Sequence, residues 1–260
     1  LNTTKQDHER LSLELERESL LKSKRLVMIT KSIEPREIRV LPRGNWLDDS
    51  GPVVEAAVPD FLGSIRRDGD RASRLDFANW LVDPEDGVGG LTARVFANRF
   101  WYLLFGRGIS SSLTDFGGQG EPPSHPELLD QLSVDFINDG WSVKRFMRRL
   151  VLSHGYRQSS NASSEAKQND PYNRWFARQG RYRLPAEMVR DNALAIGGLL
   201  VADIGGPSVK PYQPVGYYRH LNFPKRAYAW DIGKQQYRRG VYVHWQRQYL
   251  HPMLKGEFRP

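Results

Sequence analysis

Cysteine is absent from all 260 residues, which excludes disulfides, thiolate nucleophiles, zinc–thiolate sites and haem attachment through a Cys-x-x-Cys-His segment. No cofactor is therefore expected to be held by this chain itself. No apolar run approaches the ~20 residues that a membrane-crossing helix needs, so no span is expected. Histidine is scarce, at six, and His8, His154, His220 and His251 share no ligand spacing, so no metal site is predicted. The opening Leu1-Asn2-Thr3 lacks both an initiator Met and a basic-then-apolar leader, and is read as the start of a mature protein or an excised fragment.

What is present suffices for a core. Hydrophobic residues at 39% and aromatics at 11% exclude wholesale disorder, and the length suits one large domain or one domain with a flanking arm. A formal charge of +8 favours polyanionic partners: nucleic acid, acidic polysaccharide or an anionic surface. The cations are dispersed in Arg-rich pairs, which also suits plain solubility, and no standard nucleic-acid motif accompanies them.

Leu11, Leu13, Leu15, Leu20 and Leu21 interleave with charges, which reads as an exposed amphipathic helix or the tail of a preceding coiled segment. Arg36 to Leu41 alternates like a strand, and a turn-rich stretch follows through Pro59. Residues 1–70 are thus expected to form a linker or arm after an upstream domain. Residues 71–260 are expected to form a mainly α domain with long loops and a few short strands near the C-terminus. Of its five helical patterns, the first starts at Leu75 and ends at Asp83-Pro84, and the second has Thr92 as a cap and an apolar face of Val95, Phe96, Phe100, Leu103 and Leu104. The third opens on a Ser124–Glu127 capping box, the fourth follows a Ser142 cap, and the fifth has Pro185 in its first turn with Met188, Val189, Ala193, Ile196 and Leu200 at helical spacing. The polar stretch Ser159 to Asn169 is expected to be a loop, and Gly240 to Trp245 alternates like a strand.

Three groups carry candidate chemistry. Asp115, Glu121, His125 and Glu127 sit in a Gly/Pro-rich loop leading into a helix, where carboxylate and imidazole groups can act as acid–base pairs or metal ligands, although helix capping explains most of the pattern. Glu187 and Asp191 lie one helical turn apart near Arg183 and Arg190, an arrangement that serves either catalysis on a sugar or a buried ion-pair network. Tyr212, Trp230, Arg238, Arg239, Tyr242, His244 and Arg247 combine guanidinium forks with stacking rings and form the main ligand candidate. The basic helix face of Lys144, Arg145, Arg148 and Arg149 reads as solvated, and Asn161-Ala162-Ser163 as a chance glycosylation pattern.

Several ordered motifs resemble one family. They include Leu91 to Val95, Asn98 to Trp101, Phe105-Gly106-Arg107-Gly108, Asp115-Phe116-Gly117 and Ser124 to Asp130. Tyr156 to Ser160, Arg181 to Asp191, Gly205 to Val209, Pro211 to Pro214 and Tyr237 to Gly240 continue the series. Together they resemble the planctomycete-specific domain of unknown function 1553 over roughly Leu75 to Trp245, and Arg36 to Gly51 resembles the segment joining it to a preceding uncharacterised domain. The resemblance implies a large exported protein, periplasmic or at the cell surface, often with covalent haem in an upstream domain, in bacteria rich in polysaccharide-degrading systems. It carries over no catalytic residues. After Pro252 to Lys255 the sequence departs from the family pattern, so a C-terminal truncation is expected.

The resulting expectation is a module that handles or organises acidic or sulfated polysaccharide beside a haem-bearing or catalytic domain. The rivals are an enzyme using the carboxylate and His groups, and a nucleic-acid-binding basic domain.

Overall fold

The computed structural model describes residues 2–23, 28–31, 33–219, 227–246 and 250–255, with the side chains of the first helix from His8 onward. Contacts divide the chain into two units, residues 1–56 and 57–260.

The first unit contains helix α1 (Asn2–Ser23) and a two-stranded antiparallel hairpin, β1 (Ile38–Arg39) with β2 (Val53–Val54), in which Ile38 faces Val54 and Arg39 faces Val53. Gly51 lies so close to the Val40 carbonyl that a Cβ would sit 2.0 Å from its oxygen, so only glycine lets the chain return here. The leucines of α1 are exposed, as their interleaving with charges predicts.

The second unit is mainly α. Helix α2 (Arg74–Val82) opens with a capping box between Ser73 and Asp76; α3 (Gly89–Phe105), α4 (Pro126–Asn138) and α5 (Val143–Leu152) follow. Helix α3 packs chiefly on α4 and also touches α2 and α5. Its buried stripe is Ala93, Ala97, Trp101 and Phe105, a row with a spacing of four; of the expected face, Phe100 and Leu104 pack half-buried against the core and Phe96 is exposed. The two alanines carry little bulk, so Leu129, Leu132 and Phe136 of α4 can approach closely. Trp101 stacks on Phe105 with ring centroids 4.0 Å apart, and Phe176 meets both rings edge-on. Phe136 and Phe146 are almost fully buried, each contributing about 2–3 kcal/mol by burial.

A second apolar cluster joins Ala186 of α7 (Ala186–Ile196) to Val209, Val243, Leu250 and Leu254, the last within α8 (Pro252–Lys255). Val209 donates to the Tyr242 carbonyl at 2.8 Å and accepts from the His244 amide at 2.7 Å.

Several local expectations need correction. Thr92 lies inside α3, whose flanking residue is Val88, because Gly87 and Gly89 fold tightly against the Trp80 and Asp83 carbonyls and start the helix earlier. Ser124 makes no capping box: its hydroxyl donates to the Ile109 carbonyl at 3.1 Å, and His125 takes the flanking position of α4. Ser163 caps a short helix, α6 (Ser164–Asn169), inside the stretch expected to be loop. The strand expected over Gly240 to Trp245 is a 3-10 turn at Gly240–Tyr242 with an isolated bridge from Val243 to Val209, since among the described residues no neighbouring strand offers a continuous ladder; the paired strands lie at 38–54 instead. Helix α2 buries only Trp80, and α7 only Ala186 and Arg190, while Met188 and Ile196 face solvent.

Candidate functional site

The C-terminus of α3 fixes one wall of a cleft. Gly106 takes the left-handed conformation that closes the helix, with φ +76°, and the Tyr182 ring lies where a Cβ would be, 2.3 Å away. Tyr182 donates its hydroxyl to the Leu103 carbonyl at 2.8 Å. Burial raises its pKa, with Tyr156 and Tyr102 adding to the effect, so the phenol remains a donor. Gly180 packs in the same manner against the Phe105 carbonyl. The rest of the lining comes from residues 160–162, Lys167 of α6 and residues 171–173 and 178–179. Asp170 shapes that last part by accepting from the amides of Arg174 and Trp175 at 2.8 and 2.9 Å, which turns its carboxylate into the backbone.

Between these walls lies a cleft of about 700 Å³. Arg107, Lys167, Arg178 and Arg181 line it, with Tyr172 and Tyr182, and among the described residues no carboxylate does. Arg178 donates to the Asp170 and Pro171 carbonyls, and Arg181 to Ser160 Oγ and Asn161 Oδ1 at 3.3 and 3.0 Å. These bonds hold the guanidinium groups in place without neutralising them. Asn173 Oδ1 and Gln179 Oε1, on two of the lining residues, are buried without a hydrogen-bond donor among the described residues, at a cost of about 1–3 kcal/mol each.

The residues expected to act as an Arg/aromatic surface fall elsewhere, and several hold the fold together. Arg238 is buried; its Nη1 donates to Pro207 O at 3.0 Å, its Nη2 to the Asp203 and Gly205 carbonyls, and its guanidinium lies 3.9 Å from the Tyr242 ring centroid. The Tyr242 hydroxyl accepts from the Gly205 amide at 2.8 Å. His244 is half-buried, and burial lowers its pKa, with Lys210 adding to the effect. Arg239 is exposed, and Arg247 lies outside the described residues. Tyr212 and Trp230 are exposed and meet edge-to-face at 5.4 Å, while burial pushes the neighbouring Tyr228 phenol up to about 12.

Glu187 and Asp191 do meet the Arg238–Arg239 segment. Asp191 Oδ1 accepts from the Gly240 amide at 2.7 Å, and a Cβ on Gly240 would lie 3.1 Å from that of Glu187. Arg190 donates to the Arg238 and Gln236 carbonyls, both at 2.7 Å, and burial lowers its pKa against the opposing pull of Asp191.

Asp115 and Glu121 are exposed in the loop between α3 and α4, and half-buried His125 ends that loop at the start of α4. Asp115 Oδ1 accepts from the Gly117 amide, Glu121 Oε2 from Ser111 Oγ, and His125 Nδ1 pairs with Ser124 Oγ at 3.0 Å. The His125 ring abuts Trp175 and Phe176. Glu127 is exposed in the first turn of α4, where a negative charge favours the helix. No hydrogen bond or ring contact among the described residues joins this group to Asp191 or Arg239. Nor do any three His, Asp or Glu among the described residues come together in a way that could hold a metal ion.

The cleft residues were available to the same criterion that singled out the C-terminal stretch: Tyr172, Arg178, Arg181 and Tyr182 repeat its mixture of Arg and aromatic side chains.

Fold and cleft together define a mainly α module with a concave basic surface. The model of the family described as protein of unknown function (DUF1553), PSD1, matches residues 73–256, and the chain belongs to that family. No curated protein and no solved structure matches the chain.

Proposed function

We propose that the module binds an anionic, hydroxyl-rich polymer, with acidic or sulfated polysaccharide as the ligand class, in the cleft between Gly106 and α6. The observation that carries this reading is a lining that holds four cations and, among the described residues, no carboxylate. Guanidinium forks suit sulfate and carboxylate, and Tyr172 and Tyr182 offer ring faces or edges to a sugar. An exported setting beside a haem-bearing or catalytic domain suits such a ligand, and that setting rests on the family resemblance.

Calorimetry of the chain with a heparin-derived tetrasaccharide, its desulfated form and an oligonucleotide of matched charge tests the proposal. Saturable binding of the sulfated sugar is expected, tighter than that of its desulfated form, which keeps only the carboxylates, and than that of the oligonucleotide, and falling about tenfold or more in Lys167→Gln/Arg181→Gln. Equal binding of all three ligands, or an unchanged double variant, would defeat it.

A further inference from the structure

One cation of the cleft is already partly engaged from behind. Arg107 Nη2 lies 3.8 Å from Glu121 Oε2, beyond hydrogen-bond length but within ion-pair range, and the guanidinium lines the cleft while the carboxylate lies outside it. Glu121 is held in that position. Ser111 Oγ donates to the same Oε2, the Glu121 amide donates to Ser112 Oγ at 2.8 Å, and Ser110 Oγ donates to the Glu121 carbonyl at 2.9 Å. Ser110 is itself pinned to α3 by two 2.9 Å bonds with buried Asn98. Gly120 completes the turn, since a Cβ there would lie 2.2 Å from the Asp115 carbonyl oxygen.

We infer that Glu121 is an internal competitor for the cleft: a fixed carboxylate that holds Arg107 until an anionic ligand group displaces it. This inference rests on the proposed anion-binding role of the cleft. Arg107 is the only one of the four cleft cations for which the described residues include an acidic side chain within ion-pair range. The long, partly exposed pair is weak, so exchanging Glu121 for a sulfate or carboxylate with shorter contacts to Arg107 is favourable. Glu121 thereby sets a threshold. A single weak anion gains little from Arg107, whereas a densely charged polymer recruits all four cations.

The test is calorimetric titration of the whole chain with the heparin-derived tetrasaccharide. Glu121→Gln keeps the shape of the side chain and an acceptor for Ser111, and is expected to tighten binding by about two- to five-fold, the range set by a surface ion pair. Arg107→Gln is expected to weaken binding, and Arg107→Gln/Glu121→Gln to bind no more tightly than Arg107→Gln alone. A gain that persists in the double variant overturns the inference, because it then reflects removal of negative charge in general. An unchanged Glu121→Gln affinity, with Arg107→Gln still weakened, also overturns it while leaving the cleft reading intact. Absence of saturable wild-type binding defeats the cleft reading and this inference with it.

Discussion

Arg190 reaches across the second apolar cluster to donate Nη1 to the backbone carbonyl of Arg238, 2.7 Å away, so that one buried arginine organises the segment that presents the other. Removing a buried, multiply bonded guanidinium leaves its carbonyl acceptors without donors. Arg190→Met is therefore expected to destabilise the fold by about 3 kcal/mol, and Arg190→Lys by less, because an ammonium cannot reproduce the fork. Urea midpoints at constant m-value check both, and a loss below about 1 kcal/mol for Arg190→Met would contradict the assigned role.

Asn98 is fully buried and exchanges two hydrogen bonds with Ser110. Asn98→Ala is expected to cost about 2–4 kcal/mol and to raise amide exchange over residues 109–125, measured by mass spectrometry. Protection unchanged in that stretch would show that the loop is held by other means.

Gly106→Ala imposes a side chain at φ +76° and drives a methyl group into the Tyr182 ring. The expected cost is about 1–3 kcal/mol, accompanied by weaker binding in the cleft that Tyr182 walls. A variant with wild-type melting and wild-type affinity would refute the packing described.

His251 gives a pH prediction. Burial lowers its pKa below 6.5; Arg190 adds to the lowering, and the bond to the Tyr212 carbonyl opposes it. Nε2 lies 2.8 Å from that carbonyl and Nδ1 accepts from the Met253 amide at 3.4 Å, a pattern suited to the neutral ring. Above the unfolded pKa both folded and unfolded states are neutral and stability is independent of this group. As pH falls below about 6.5 the unfolded chain takes up the proton first, so stability declines until the folded pKa is passed. His244 shifts in the same direction through burial and Lys210. Urea unfolding between pH 7.5 and 5 (~2.5 pH units) is expected to show this decline, shallower in His251→Gln. An identical slope in the variant would remove His251 from the explanation.

The helices of the second unit were legible where local chemistry decided them. Ser142 caps α5, Asp83-Pro84 follows α2, and Pro185 precedes α7, each fixed by backbone rules that operate within a few residues. The expectation failed where a distant partner intervened. Ser124 has the spacing of a capping box, yet the Ile109 carbonyl, 15 residues away, takes its hydroxyl. Met188 and Ile196 repeat at helical spacing, yet the side of α7 that is covered is chosen by the carbonyls that Arg190 must satisfy. The cleft was hidden for the same reason. Arg107 and Lys167 are 60 positions apart in the sequence (167 − 107), and the packing of Gly180 and Tyr182 on Phe105 and Gly106 brings their segments together.

Helix α7 thus inverts the usual relation between oiliness and depth, with a guanidinium inside and isoleucine outside. An engineer seeking a less sticky protein can exchange Ile196, 88% exposed, for a charged residue at little thermodynamic penalty. The opposite edit, a greasier side chain at position 190, would fail however well it filled the space, because what that position supplies is hydrogen for stranded oxygens.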